Sequence, residues 1–257
     1  MTFRSYRKKE SQINEEELKR CLSKEKLDSY RSFIQNGSFV RAVNMYTVTQ
    51  LYSSFLYLPL QFLEISLRNK IYCVLAEFYK KKTLPDNCAP ERWLFWLPQS
   101  ESVKSKISFA EKKANEEVQG RAVHIGDVIS RISFGTWITL LGEQPNNKSP
   151  LHFWQKTASS IFPNAPKRTQ VRIIHCLRDA NNTRNRLFHY EPIWDTGNKS
   201  NRMKMFIDIE RKFDKILEIL GWISKDIVFM LEENGSCAFF RNGIAEAKKN
   251  LTGYFAP

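Results

Sequence analysis

The sequence predicts an all-α fold. Apolar residues recur three and four positions apart along most of the chain, and no segment alternates apolar and polar residues as a half-buried strand would. Turn-forming residues, such as Asn36-Gly37 and the proline-bounded segment 145–150, divide the chain into pieces of helix length. No repeat and no low-complexity stretch is present. We therefore expect a single domain of packed helices over residues 1–257, with residues 1–14 as a flexible basic arm.

Ten helices are expected in chain order, with boundaries taken from capping and turn residues. The segment 23–26, SKEK, indicates a capping box for the second helix, Pro59 begins the fourth, and Gly221 is expected to cap the ninth. The aromatic cluster 93–96 is expected in the core rather than on a base-stacking surface, and residues 234–257 show no clear pattern. The expected helices cover residues 15–24, 24 onward, 39–56, 60–80, 102–118, 127–141, 152–162, 167–190, 202–220 and 224–233.

The helix over residues 60–80 has a wide apolar face and is expected at the centre of the core. Glu64 and Arg68 lie four residues apart on it, so they can pair with each other on the helix surface. Alternatively, they can lie beside the helix over residues 167–190 and orient it. The sequence leaves both arrangements open.

The charge of the chain points to a polyanionic partner. The 257 residues include 42% hydrophobic residues, enough for a substantial core, and carry a formal net charge of +13. Between residues 167 and 186, six basic residues are opposed by Asp179 alone, which gives +5. A solvated basic face would look the same, but nucleic acid is the partner class that this charge favours. The six are Lys167, Arg168, Arg172, Arg178, Arg184 and Arg186.

The helix over residues 167–190 carries polar side chains where its packing face should be. Val171, Ile174 and Leu177 begin an apolar stripe, but the same face continues through Asn181, Arg184 and Phe188. An amide and a guanidinium are costly to bury unless they are paired. Pro192 disfavours helical backbone angles for the residue before it, Glu191. We therefore expect the helix to stop near Tyr190, with His189 in its last turn.

Several classes of chemistry find no support in the sequence. The five cysteines are odd in number and never spaced as CxxC, which fits a reducing compartment and no structural zinc. The four histidines form no metal-binding spacing, and no glycine-rich phosphate loop is present, so we expect no metal and no cofactor. His124, His152 and His175 are expected to be structural. Without a secretory signal or an apolar stretch of membrane length, a cytoplasmic protein is expected.

Three segments, in order along the chain, resemble one protein family. Segment 63–69, LEISLRN, and segment 132–137, ISFGTW, precede segment 184–193, RNRLFHYEPI, in which an Arg is followed by Asn and, five residues on, by His. This set resembles the Abi-like (abortive infection) branch of the HEPN ribonuclease superfamily, over roughly residues 22–225. Tyr190 departs from the pattern, because the family often carries a second histidine there.

The resemblance implies an HEPN-like helical bundle, with additional N- and C-terminal helices in this chain. It implies a metal-independent endoribonuclease of a bacterial abortive-infection or toxin–antitoxin system, acting as a homodimer on RNA and held in check by a protein or RNA antitoxin. Two alternatives stay open: a non-catalytic RNA-binding protein or scaffold, and an interaction module whose Arg184 ties helices together. The candidate catalytic residues are Arg184, Asn185 and His189, the supporting residues are Glu64, Arg68 and Asn69, and the RNA-binding residues are Arg186, Arg178, Arg172, Lys167 and Arg168.

The chemistry of such a site needs few groups. A histidine can transfer protons near neutral pH, and an arginine supplies a fixed planar charge that matches phosphate. In an ideal helix, however, residues five apart are rotated by about 140° and separated by about 7.5 Å along the axis. Arg184 and His189 of one regular helix therefore make a poor site. Either the last turn unwinds before Pro192, or two copies of the helix meet; the resemblance implies the second arrangement.

Overall fold

Helices make up all the regular structure of the described residues. The computed structural model describes residues 13–34, 37–80, 92–96, 100–142, 153–166, 170–194 and 202–254, and these contain no strand, as the sequence predicts. The predicted arm at residues 1–14 lies almost entirely outside them. The helices are α1 (Glu15–Leu22), α2 (Lys24–Phe33), α3 (Phe39–Ser54), α4 (Tyr57–Lys80), α5 (Trp93–Trp96), α6 (Glu101–Glu117), α7 (Ile125–Ile129), α8 (Phe134–Gly142), α9 (Phe153–Ile161), α10 (Gln170–Phe188), α11 (Arg202–Ile223), α12 (Lys225–Glu233) and α13 (Ser236–Tyr254).

The chain forms two compact units whose segments interleave along the sequence. The first unit comprises Met1–Tyr57, Arg186–Lys212 and Cys237–Pro257. The second comprises Leu58–Asn185 and Phe213–Ser236. Helices α10 and α11 each continue from one unit into the other. The prediction of one domain over the whole chain stays a prediction.

The core of the first unit is rich in aromatic rings. Helices α1, α2 and α3 pack against one another, and the buried Tyr30 ring meets Tyr46 and Trp194 edge-on, at centroid distances of 5.3 and 5.4 Å. Burial raises the pKa of Tyr30 to about 12. Trp194 is only 2% exposed, so it anchors the segment that follows α10. Edge-to-face ring pairs of this kind contribute beyond the area that they bury.

The core of the second unit contains the predicted face of α4. Five residues of this face are fully or almost fully buried, which confirms the prediction: Leu60, Leu63, Leu67, Ile71 and Leu75. The helix begins at Tyr57 rather than Leu60, because a proline in the first turn removes only an N–H that has no intrahelical partner. Trp93 is also buried, as predicted, and its Nε1 donates to the carbonyl of Tyr72 at 3.2 Å.

Two boundary predictions fail because capping side chains decide them. The single helix expected over residues 127–141 is two helices, α7 and α8, since Ser133 Oγ accepts from the backbone N–H of Thr136 at 3.3 Å and starts a new helix. The expected capping box at α2 is a serine cap alone: Ser23 Oγ accepts from Lys26 N at 3.5 Å, and the third helical residue is not acidic.

Two further differences lie in the C-terminal part of the chain. Gly221 does not cap α11, which continues to Ile223 because Trp222 and Ile223 are both buried. Residues 236–254, for which the sequence showed no pattern, form α13. Within α13, a Cβ at Gly243 would lie 3.5 Å from the Tyr52 ring, which is an ordinary contact distance, so the position does not require glycine.

A helix that crosses a lipid bilayer must be long and mostly apolar. Among the described residues, no helix has both the length and the apolar composition that crossing a membrane requires.

Candidate functional site

Helix α10 carries most of the predicted site residues, and its buried stripe differs from the predicted one. Val171 is 71% exposed and Phe188 is 45% exposed, although both were assigned to the packing face. The stripe instead runs through Ile173, Ile174, Cys176, Leu177, Ala180, Thr183 and Leu187. A packing face centred on Leu177 and Ala180 explains the difference, because it turns Val171 toward solvent. It also leaves Asn181 and Arg184 at its edge, half-buried rather than fully enclosed.

Helix α8 approaches α10 closely within the second unit. Gln170 Nε2 donates to the carbonyl of Leu141 at 2.7 Å. A Cβ built on Gly135 would lie 3.4 Å from the Asn181 side-chain nitrogen, and one on Gly142 would lie 3.4 Å from an Arg178 Nη atom. A Cβ at either glycine would thus make close but ordinary contacts with polar side chains of α10.

Arg184 pairs with Glu64, and this joins α10 to α4 within the second unit. Arg184 Nε lies 3.5 Å from Glu64 Oε2, and the two side chains are 36% and 25% exposed. Arg184 Nη1 also donates to Asn185 Oδ1 at 3.4 Å. Of the two arrangements that the sequence left open for Glu64, the structure therefore contains the one beside α10. The other two supporting residues pair with each other: Arg68 Nε donates to Asn69 Oδ1 at 3.2 Å.

The C-terminus of α10 is closed by a Schellman motif in the first unit. Tyr190 N donates to the Leu187 carbonyl at 3.1 Å, and Glu191 N donates to the Arg186 carbonyl at 2.8 Å. Tyr190 has a φ of +57°, the left-handed conformation that glycine usually supplies here. The regular helix ends at Phe188, so the predicted stop near Tyr190 is confirmed. The two ways of bringing Arg184 and His189 together, unwinding of the last turn and the meeting of two copies of the helix, both stay predictions.

His189 occupies the C-cap position and is exposed. Around it in the first unit, Arg186 Nε lies 3.6 Å from Glu191 Oε2, and Gln50 Nε2 donates to the Tyr190 carbonyl at 3.5 Å. The ammonium of Lys26 lies 5.4 Å from the centre of the Tyr190 ring. The motif is therefore shared between the units: Arg184 and Asn185 belong to the second, and Arg186 and His189 to the first.

The predicted phosphate-binding residues are at the surface where they are described. Arg172 and Arg178 are exposed, and Arg186 has 43% of its side chain exposed. Lys167 and Arg168 lie outside the described residues. His175 was expected to be structural, but its side chain is 74% exposed, and Nδ1 lies 3.2 Å from Asp179 Oδ2 one turn later.

Sequence reasoning missed the exposed aromatic side chains near His189. Tyr57 is 48% exposed and packs on Phe188 with ring centroids 5.6 Å apart, while Tyr190 is 62% exposed. One feature of the sequence could have indicated them. Tyr190 is a bulky residue just after the expected end of a helix, a position that glycine or asparagine usually occupies. As for metal ligands, no group of three His, Cys, Asp or Glu side chains in the described part of the chain could hold an ion.

Comparison with known proteins identifies no relative. No family model matches the chain, and no curated protein and no solved structure matches it either.

We expect Arg184→Ala to lower the free energy of unfolding by only about 1 kcal/mol, because the pair with Glu64 is partly exposed to water. Glu64→Ala should cost a similar amount, and the double variant should lose about 0.2–1 kcal/mol less than the sum of the two. Urea unfolding measures all three. Arg178→Ala, on the exposed side of the same helix, is the control and should change stability by less than about 0.5 kcal/mol.

A loss of several kcal/mol in Arg184→Ala would contradict this expectation. It would indicate that the guanidinium behaves as a fully buried charge whose main role is to hold helices together.

Proposed function

We propose that this protein is a metal-independent endoribonuclease of the HEPN type. The observation that supports the proposal most strongly is the guanidinium of Arg184, which Glu64 holds from another helix while about a third of the side chain stays exposed. A carboxylate that orients an arginine on a basic helix is an arrangement suited to phosphate. His189 adds an exposed imidazole five residues later, at the end of the same helix.

In the proposed reaction the RNA 2′-hydroxyl attacks the adjacent phosphorus. The 2′-oxygen–phosphorus bond forms, the bond from phosphorus to the 5′-oxygen breaks, and the products are a 2′,3′-cyclic phosphate and a 5′-hydroxyl. The reaction needs two proton transfers, one from the 2′-hydroxyl to a base and one from an acid to the leaving 5′-oxygen. His189 carries out one of them and water carries out the other. Arg184 stabilises the charge that develops on the phosphate oxygens, and Asn185 orients His189 or hydrogen-bonds the phosphate. Glu64, Arg68 and Asn69 would support the site from α4.

RNA binding is proposed for the basic residues of the same region. Arg172, Arg178 and Arg186 would contact phosphates, together with Lys167 and Arg168. The formal charge of +13 supports a polyanionic partner. We further propose an HEPN-like bundle, extended by the N- and C-terminal helices, in a cytoplasmic abortive-infection or toxin–antitoxin protein that a protein or RNA antitoxin restrains.

One observation favours the non-catalytic alternative. Arg184 already has a carboxylate partner and an amide partner, as a guanidinium with a structural role would. An RNA-binding HEPN protein or a scaffold would keep these contacts without cleaving RNA.

His189→Ala should reduce RNA cleavage by at least about 100-fold, because the reaction loses its proton-transfer group. Arg184→Ala should reduce it by a similar factor, through loss of charge stabilisation at the phosphate. The measurement is cleavage of mixed cellular RNA by the purified protein in EDTA. His175→Ala is the matched control, since it removes an exposed imidazole from the same helix and should leave the rate unchanged.

Equal loss in His175→Ala and His189→Ala would contradict the assigned role of His189. Activity that appears only when a divalent metal is added would contradict the mechanism.

We propose that the active species is a homodimer in which the arginine of one chain works with the histidine of the other. Mixing Arg184→Ala protein with His189→Ala protein should then restore cleavage, since each heterodimer regains one site free of both substitutions. The amount restored should follow the fraction of heterodimer, which is measured by capture through an affinity tag that only one of the two variants carries. A wild-type monomer that cleaves at full rate at nanomolar concentration would rule the shared site out.

A further inference from the structure

The two residues that flank His189 in the chain both expose aromatic rings. Phe188 precedes it and is 45% exposed, and Tyr190 follows it and is 62% exposed. Tyr57 packs on Phe188 at a centroid distance of 5.6 Å and is itself 48% exposed. All three belong to the first unit, and we refer to Tyr57, Phe188 and Tyr190 as the aromatic flank.

The fold alone does not account for a tyrosine at position 190. The left-handed backbone of the Schellman motif is strained for any residue with a Cβ, and glycine usually occupies this position. The hydrogen bond from Gln50 goes to the backbone carbonyl, so any residue could accept it. The exposed ring buries little surface, and its contact with the Lys26 ammonium is of the weak, solvent-exposed kind. Tyr190 thus strains the backbone, while its exposed ring contributes little to the stability of the fold.

The charges around the aromatic flank match a polyanion with flat bases. Lys26 lies over the Tyr190 ring, and the partly exposed Arg186 lies two residues before Phe188. One acidic residue, Glu191, also lies in this region and pairs with Arg186 at 3.6 Å. Exposed rings beside basic side chains are how proteins bind single-stranded nucleic acid, because each base has a face on which a ring can stack. In a duplex those faces are already stacked on each other.

We infer that the aromatic flank is a base-stacking site for single-stranded RNA next to His189. The inference rests on the proposed RNA-cleaving function and deepens it. Bases of the strand stack on Tyr190 and on the Tyr57–Phe188 pair, while Lys26 and Arg186 contact its phosphates. Double-stranded RNA, whose bases are not free to stack, is therefore a poor ligand of this surface.

The test uses the full chain and a fluorescein-labelled single strand of 2′-O-methyl RNA, followed by anisotropy. The methyl group blocks 2′-hydroxyl attack, so binding is measured whether or not the protein cleaves RNA. Tyr190→Gly and Phe188→Leu should each weaken binding by between about 5-fold and about 150-fold. A strand of equal length and charge without bases should bind more weakly than the normal strand, and equally well to wild type and variants.

The stability of Tyr190→Gly separates a binding role from a structural one. Glycine relieves the left-handed backbone, so the melting temperature of this variant should not fall even though its RNA affinity does. The control is Phe109→Leu. Phe109 is 61% exposed and has the Lys113 ammonium 5.9 Å from its ring centre, so it resembles the Lys26–Tyr190 contact, but it lies in the second unit.

Three outcomes would overturn the inference: equal affinity for the normal and the base-free strands, equal affinity for single strand and duplex, or unchanged binding by both variants. Complete failure to bind nucleic acid would overturn it as well. The proposed function is judged separately. If stacking is found but wild type cleaves no RNA, only the nuclease proposal fails; if cleavage needs His189 but the variants bind normally, only the stacking site fails.

Discussion

One helix, α10, has to bury an apolar stripe and carry a cluster of charged side chains at the same time. Burial of Leu177 and Ala180 sets its orientation in the second unit, and this leaves Arg184 at the edge of the buried stripe. A guanidinium in that position costs free energy unless it has a partner. Glu64 on α4 is that partner, so the position of the Arg184 side chain depends on how α4 packs against α10. Any function of Arg184 must work within this ion pair.

The end of α10 is held by a different set of forces. Two backbone hydrogen bonds close the last turn, and the buried side chains of Ile193 and Trp194 fasten the segment that follows. His189 is therefore an exposed side chain on a defined turn rather than part of a frayed terminus. The same turn forces Tyr190 into a left-handed backbone, which is why the identity of that residue carries information about function.

The sequence predicted the parts of the fold that depend on long apolar periodicity. The buried face of α4 and the end of α10 before Pro192 are both as expected, because burial and proline sterics act strongly at those positions. The break at Ser133 and the helix over residues 236–254 were missed. A serine can cap a helix or lie within one, and a glycine can end a helix or lie inside one, as Gly221 does in α11. Tertiary contacts decide between these roles.

For the candidate site, too, the sequence predicted some features and tertiary contacts decided the others. The motif residues were identified from their spacing, but the partner of Glu64 was not. The sequence cannot distinguish an ion pair with Arg68 on the same helix from an ion pair with a residue of another helix. The exposure of His175 and the aromatic flank depended on the rotation of α10, which the apolar pattern placed incorrectly at Val171 and Phe188. A small rotation of one helix thus changes which side chains reach solvent.

We propose that RNA is cut by attack of its own 2′-hydroxyl, and the chemistry of the cut ends tests this proposal most directly. An oligonucleotide with one preferred cut would be compared with the same strand carrying a single 2′-deoxyribose on the 5′ side of that cut, both in EDTA. If the 2′-hydroxyl attacks, the first strand should yield a 2′,3′-cyclic phosphate and a 5′-hydroxyl. The second strand lacks that hydroxyl and should not be cut at the substituted position. Ends with a 3′-hydroxyl and a 5′-phosphate, or cutting at the deoxyribose, would contradict it.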